Sequence, residues 1–282
     1  MFDPKPTRYP FPEQTDRHYL KLKMDRKIIF DEDYPYIDNS KWFLFKRAMA
    51  RIAMLVAAFP VCTVRMGLKI GGKENRKKYR DILSGGFVSV SNHVHMWDSL
   101  AVMKALYFRK PAVIVWDKNV NGENGTLIRL VGGIPIPVES FRAMHVFNHT
   151  VNEYLKSGNW VHICAEGSMW EYYMPIRPFK QGTFYIAYRA GVPVLPIGFS
   201  YREPKGIYKL VRSQALFTLN IGEPLFFRKD LPKNEAIEDM TVRAHRAVCE
   251  LCGIDPDRNL YPPVFNDSRR VDYYTTEYGT EK

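Results

Sequence analysis

An α/β fold, a mostly parallel sheet flanked by helices, follows from two features of this 282-residue chain. From Phe87 onward, short continuous apolar runs alternate with segments of helical periodicity, the pattern of strands covered on both faces by crossover helices. The composition is that of a globular protein, 46% hydrophobic and 25% charged, and the chain is long enough to bury a large core. The predicted strands are 87–91, 111–116, 134–138, 160–164, 194–199 and 215–221, the last ended by Gly222-Glu223-Pro224. Helices are predicted over 97–107, 124–131, 140–157 and 180–190, with a last amphipathic one over 233–252.

Ahead of the sheet the pattern changes. Residues 1–40 carry Pro4, Pro6, Pro10, Pro12 and Pro35 without a sustained period, so an extended arm is expected. Residues 41–80 read as an apolar-basic helical segment. Its apolar stretch, Ile52–Val64, is thirteen residues long and follows Trp42, Phe43, Leu44 and Phe45. Spanning a bilayer takes roughly 20 apolar residues, and Lys46, Arg47, Arg51 and Arg65 flank or interrupt this stretch. Pro60 is expected to break or kink it. The pattern fits an amphipathic helix lying in a membrane interface, with aromatics submerged and basic residues at the headgroups. A buried domain helix is the other reading. Lys73, Arg76, Lys77, Lys78 and Arg80 form a basic cluster, either a solvated helix face or a further headgroup contact. A sheet-bearing domain then covers 81–254, and a polar, Tyr-rich tail covers 255–282, either disordered or draped over the surface.

Forty-one Lys and Arg against 30 Asp and Glu leave a net charge of +11, which calls for an anionic partner. No nucleic-acid-binding signature accompanies the charge, so the expected partner is an anionic membrane surface and not nucleic acid. No signal-peptide pattern is present in the first forty residues. The cytoplasmic face of a membrane, in monotopic or peripheral attachment, is the expected location. Cys62, Cys164, Cys249 and Cys252 are too few for a disulfide framework. Cys249 and Cys252, alone as a CxxC, read as packed thiols, and no metal site is expected.

The chemistry concentrates at His93-Val94-His95-Met96-Trp97-Asp98, where strand 87–91 runs into the next helix. Open α/β sheets build their sites at that edge. A carboxylate at Asp98 can hold one nitrogen of the His93 ring and leave the other as a general base, with no Ser or Cys nucleophile needed if the substrate brings a hydroxyl. His95 is a second candidate for the base. Three further segments lie downstream: Glu166-Gly167-Ser168 after strand 160–164, Lys180-Gln181-Gly182 opening a helix where an anion is favoured, and Val192-Pro193-Val194-Leu195-Pro196 entering a strand.

In this order and spacing the four segments resemble the glycerolipid acyltransferases, the family of lysophosphatidate acyltransferases and tafazzin, over roughly residues 42–225. Asn92, His93 and Asp98 match the family's Asn-His-x4-Asp motif. Glu166, Gly167 and Ser168 match its Glu-Gly-Thr/Ser element, and Lys180 with Gly182 the following Lys-x-Gly. The resemblance implies a catalytic domain over 81–254 that moves a fatty acyl group from an acyl-CoA or acyl carrier protein thioester to a lysophospholipid hydroxyl, most directly 1-acylglycerol-3-phosphate. The transfer would be direct, with no covalent acyl-enzyme and no cofactor. It makes His93 the base, Asp98 its orienter, Glu166 a positioner of the acceptor's polar head or of the surrounding loops, and Lys180 a phosphate ligand. The chain departs from the pattern at Val138, where the second motif has an arginine, at Ala165, where the third has proline, and at Met169, where many members have arginine. Arg177 and Arg142 are the remaining candidates for the acceptor's phosphate. Two other functions compete: a non-catalytic basic protein binding membrane or nucleic acid, and a serine hydrolase built on Ser168. The latter lacks a Gly-x-Ser-x-Gly elbow.

Overall fold

A computed structural model describes residues 8–20, 22–211 and 213–264. The apolar runs become strands β1 (Lys69–Gly71), β2 (Phe87–Ser91), β3 (Val113–Trp116), β4 (Gly133–Ile136), β5 (Trp160–Cys164), β6 (Val194–Arg202) and β7 (Leu216–Ile221). They form one sheet in the order β1-β7-β6-β2-β5-β3-β4. Neighbours are parallel except β6 and β7, which are antiparallel. Central β2 is buried at every residue, as coverage on both faces requires. On one face the helices Phe141–Lys156, Gln181–Ala190 and Lys233–Leu251 bring Phe147, Val151, Phe184 and Met240 against Val88, Val90 and Val161. On the other, Phe59–Met66 and Asp98–Ala105 bring Cys62, Met66 and Val102 against Phe87, Leu195 and Phe199.

Strand β1 was not foreseen: three residues paired only with β7 leave too little periodicity to read. Strand β6 runs three residues past its predicted end because β7 pairs with it as far as Arg202. Ser140 caps the helix Phe141–Lys156 through Ala143 N–H, and Gly191, at φ 67°, ends Gln181–Ala190 in the left-handed region.

Pro60 does not break the N-terminal helix. The run is α-helical over Lys41–Ala53, π-helical over Met54–Ala58 and α-helical again over Phe59–Met66. Phe59 N–H donates to Met54 O, and this widened turn makes room for a residue with no N–H and a ring against the preceding turn. At 26 residues the helix is long and apolar enough to cross a membrane by length and composition, and only 22% of its apolar window is buried. A buried domain helix does not fit that exposure. Trp42, Val56 and Val64 are 65%, 73% and 67% exposed. The opposite side is tied to the sheet domain, since Arg47 donates to Pro111 O and Arg51 to Tyr107 O. These two arginines therefore anchor the helix to the domain. In the basic cluster, Arg76 donates to Ala105 O and Lys78 pairs with Glu223.

Most of the arm is irregular, and part of it enters the core through Phe30 and Tyr36. Asn121 holds it by accepting from Ile28 N–H. At the other end, Asn259 donates to Ile176 O, and Phe179 N–H to Pro263 O. The expected tail beyond residue 264 lies outside the described residues.

Candidate active site

The five-residue spacing of His93 and Asp98 is that of a loop wound around a carboxylate. Asp98 is fully buried, and its Oδ2 accepts from Val94 N–H at 2.7 Å and His95 N–H at 3.0 Å. The same oxygen lies 3.0 Å from Nδ1 of His93, whose side chain keeps 24% exposure. Oδ1 is buried without a hydrogen-bond partner. The His95 ring turns elsewhere: its Nδ1 accepts from Trp97 N–H, and its face meets Phe217. The geometry thus pairs Asp98 with the ring of His93 and not with that of His95. Asn92 ties the start of the loop to β6 by exchanging two hydrogen bonds with the Phe199 backbone. Trp170 N–H and Tyr172 N–H then pin it through the carbonyls of His93 and Val94. Tyr172 holds a positive φ of 55°, strain that the surrounding contacts must hold in place.

Register brings the second segment alongside. Ser91 of β2 pairs with Cys164 of β5, so Glu166 emerges beside His93. Glu166 is 1% exposed, and both oxygens are engaged. Oε2 accepts from His93 N–H at 2.8 Å and Arg177 Nη2 at 2.6 Å, while Oε1 accepts from Arg177 N–H at 2.9 Å. The Arg177 guanidinium is also buried, donating to Ser168 Oγ, Ser168 O and Thr15 O and lying 4.5 Å from the Trp170 ring centroid. This corrects one sequence expectation: Arg177 is spent inside the protein and does not face an acceptor phosphate. Of the two roles expected for Glu166, its contacts match the holding of the surrounding loops. Ser168, 1% exposed and bonded to Arg177, is built as a structural hydroxyl.

Lys180 caps the helix Gln181–Ala190, its N–H donating to Ala165 O and its side chain crossing Gly167. A Cβ on Gly167 would stand 2.5 Å from Lys180 Cε, and Gly167 has a φ of 79°. Gly167→Ala is therefore expected to cost about 1–2 kcal/mol of stability from the backbone conformation alone, read as a lowered denaturation midpoint, and to displace Lys180 as well. Arg142 lies exposed on the first turn of Phe141–Lys156, after β4. Three strand steps separate β4 from β2, about 14 Å at ordinary strand spacing. The structure does not bring Arg142 to His93.

Two neighbours of His93 were not picked out in the sequence. His18, from the arm, stacks on Trp116 at 4.2 Å; burial pushes its pKa down to about 4, with Lys180 and His93 adding to the effect. No sequence signal marks it, since the contact joins segments far apart in the chain. Cys164, the last residue of β5, has its Sγ 3.8 Å from His162 Nε2 and is coupled electrostatically to the His93 ring. Burial disfavours charge on both, but each stabilises the other's ionised form. His93 is pushed up to about 10, with Asp98 assisting Cys164, and Cys164 is pulled down to about 6, with His162 assisting His93. Cys164 sat in full view at a predicted strand end, where register alone could have placed it beside the base. Among the described residues, no group of three or more His, Cys, Asp or Glu side chains is arranged to hold a metal ion.

Residues 67–200, which contain this whole loop system from His93 to Lys180, match a family model described as Acyltransferase. Among solved structures, the chain is similar to the 1-acyl-sn-glycerophosphate (LPA) acyltransferase PlsC from Thermotoga maritima. The identity is 20% and the TM-score 0.44, covering 77% of this chain and 85% of that one. Comparison with curated protein sequences returned no match. With an acyltransferase domain over residues 67–200, the protein is an enzyme of that class.

Proposed function

We propose that this enzyme transfers a fatty acyl group from an acyl-CoA or acyl carrier protein thioester to a hydroxyl of a lysophospholipid, with 1-acylglycerol-3-phosphate as the leading acceptor, at a membrane surface. The observation that carries the reading is the pairing of a partly exposed His93 with fully buried Asp98, inside an acyltransferase domain and beside an exposed apolar helix. Asp98 holds Nδ1, so the other ring nitrogen takes the proton of the acceptor hydroxyl as its oxygen attacks the acyl carbonyl. The departing group is a thiolate, which leaves without a strong acid. Lys180 supplies the cation for the acceptor's phosphate, since Arg177 is enclosed and Arg142 distant. The test is thiol release from acyl-CoA with a panel of lysolipids, the products identified by mass spectrometry. Release that depends on lysophosphatidate supports the reading; acyl-CoA consumption without any lysolipid product overturns it.

The apolar helix delivers the enzyme to its acceptor. Its C-terminal end reaches the site, with Arg65 lying 5.0 Å from the ring centroid of Trp97 in the His93–Asp98 loop. Its exposed face continues onto the short helix Ile207–Val211, where Ile207 and Leu210 are 72% and 86% exposed and Tyr208 donates to Val64 O. Burying one valine side chain is worth about 1.5–3 kcal/mol, so Val56→Glu with Val64→Glu lowers the partition onto vesicles by roughly 100-fold or more. Flotation with anionic liposomes reads this directly. Unchanged flotation would place the membrane contact elsewhere.

A further inference from the structure

Between the helices Phe141–Lys156 and Gln181–Ala190 lies a groove of about 270 Å³ that acyl transfer leaves without a role. Its lining departs from what neighbouring helices usually show each other. The first helix buries an apolar stripe, Ala143, Phe147, Val151 and Leu155. The stripe beside it, His145, His149, Asn152 and Lys156, recurs every three or four residues, lines the groove and is polar throughout. Tyr185 and Arg189, one turn apart on the second helix, form the other wall. The rim is open, with His145, His149, Lys156 and Arg189 all exposed, but Asn152 is only 7% exposed. Its Oδ1 is buried and has no hydrogen-bond partner among the described residues. An acceptor in that state is destabilising until a donor reaches it.

The charge of the groove is positive. One carboxylate lines it, Glu153, 3.2 Å from Lys156 Nζ. Lys156 and Arg189 against Glu153 leave one positive charge in excess before either imidazole takes a proton. Lys233 adds a further cation, 4.8 Å from the Tyr185 ring centroid. The groove is also apart from the catalytic loop. Arg189 lies about 12 Å along its helix from Gln181, the residue after Lys180. Leu155, next to Lys156, abuts Gly86 just before β2, whereas His93 follows the other end of that strand. Both helices cover the sheet face opposite the apolar helix, since Phe147 and Phe184 pack on one side and Cys62 and Met66 on the other. A ligand there arrives from solution and not from the bilayer.

We propose that this groove binds a small soluble phosphate monoester that carries a hydroxyl group. The phosphate takes charge-assisted hydrogen bonds from Arg189 and Lys156, with the imidazoles of the same stripe as further donors. The hydroxyl donates to Asn152 Oδ1. At about pH 8 a monoester has lost its second phosphate proton and cannot donate through the phosphate itself. The donor that Asn152 needs must therefore stand on the organic part of the ligand. This assignment is independent of which lysolipid the catalytic loop acylates.

The experiment titrates full-length enzyme at about pH 8 with glycerol 2-phosphate and with methyl phosphate, an ester that has no donor at that pH. Calorimetry should show one glycerol 2-phosphate per chain, bound roughly 2- to 10-fold more tightly than methyl phosphate, the worth of one neutral hydrogen bond. Arg189→Gln should weaken both esters about 10-fold or more, and leave thiol release measured without ester unchanged. Asn152→Leu should raise the melting temperature of the ligand-free enzyme, because the orphaned acceptor is gone. The same variant should bring glycerol 2-phosphate down to the affinity of methyl phosphate. Lys180→Gln should leave both affinities intact. Equal binding of the two esters, or full binding in Arg189→Gln, overturns the proposal. Loss of binding in Lys180→Gln does so by placing the ester at the catalytic loop. Uptake of neither ester leaves water as the partner of Asn152 and overturns it too. Displacement of glycerol 2-phosphate by phosphatidate vesicles would make the ligand a lipid headgroup and overturn the soluble source.

Discussion

Replacing His93 with alanine lowers kcat for acyl transfer by about 10²–10⁴-fold, the usual worth of a positioned base. The effect is this large because no other imidazole meets Asp98 by its ring: His95 gives its ring nitrogen to Trp97 N–H and its face to Phe217. The fold should tolerate the change. The His93 backbone keeps its bonds to Glu166 and Trp170, and only a partly exposed ring is lost. Asp98→Asn is a different lesion. One oxygen of Asp98 serves two backbone N–H groups and the ring, so an amide must choose between holding the loop and orienting the base. Asp98→Asn should therefore lose both activity and thermal stability, whereas His93→Ala loses activity alone. Initial rates of thiol release and melting curves on the two proteins separate these outcomes. Near-full activity of His93→Ala would remove the ring from the mechanism.

Much of this arrangement was readable in the residues, and the unreadable part has a common physical cause. Strands buried on both faces declare themselves as unbroken apolar runs, so Phe87–Ser91 and Trp160–Cys164 were located to the residue. The ends of the five helices read from residue 97 onward fell within two residues, as capping at Ser140 and Gly191 would predict, whereas the N-terminal helical segment read over 41–80 ends at Met66. The His93–Asp98 spacing was legible because its geometry is local. Arg177 was misjudged because its partners, Thr15 in the arm and Glu166 and Ser168 after β5, are brought to it only by folding. A cation seen in sequence has no visible counter-ion, so it reads as available to substrate. His18 escaped for the same reason. Pro60 shows the converse, a local rule overridden when the helix widens by one turn of π geometry.

The brace beneath the loop carries the second large effect. Arg177 and Glu166 are 2.6 Å apart, at 1% and 2% side-chain exposure. A buried pair of this kind adds little against an apolar substitute, because taking both charges from water costs as much as their attraction returns. Removing one partner is another matter, since the survivor is left charged in a dry site. Arg177→Met is expected to cost about 3–5 kcal/mol of stability. The loss also reaches the arm, because the guanidinium holds Thr15 O and the neighbouring Trp170 indole holds Arg17 O. Glu166→Gln leaves the buried guanidinium charged with only neutral partners in Ser168 and Thr15, so it too should lower the denaturation midpoint, and by weakening the link to His93 N–H it should lower kcat as well. Combining the two substitutions removes both charges, and the double variant should be less destabilised than the sum of the singles by about 0.5–3 kcal/mol. Urea unfolding of the four proteins measures that coupling. Strict additivity would mean the two charges do not depend on each other, and the His93 loop would then rest on its backbone contacts alone.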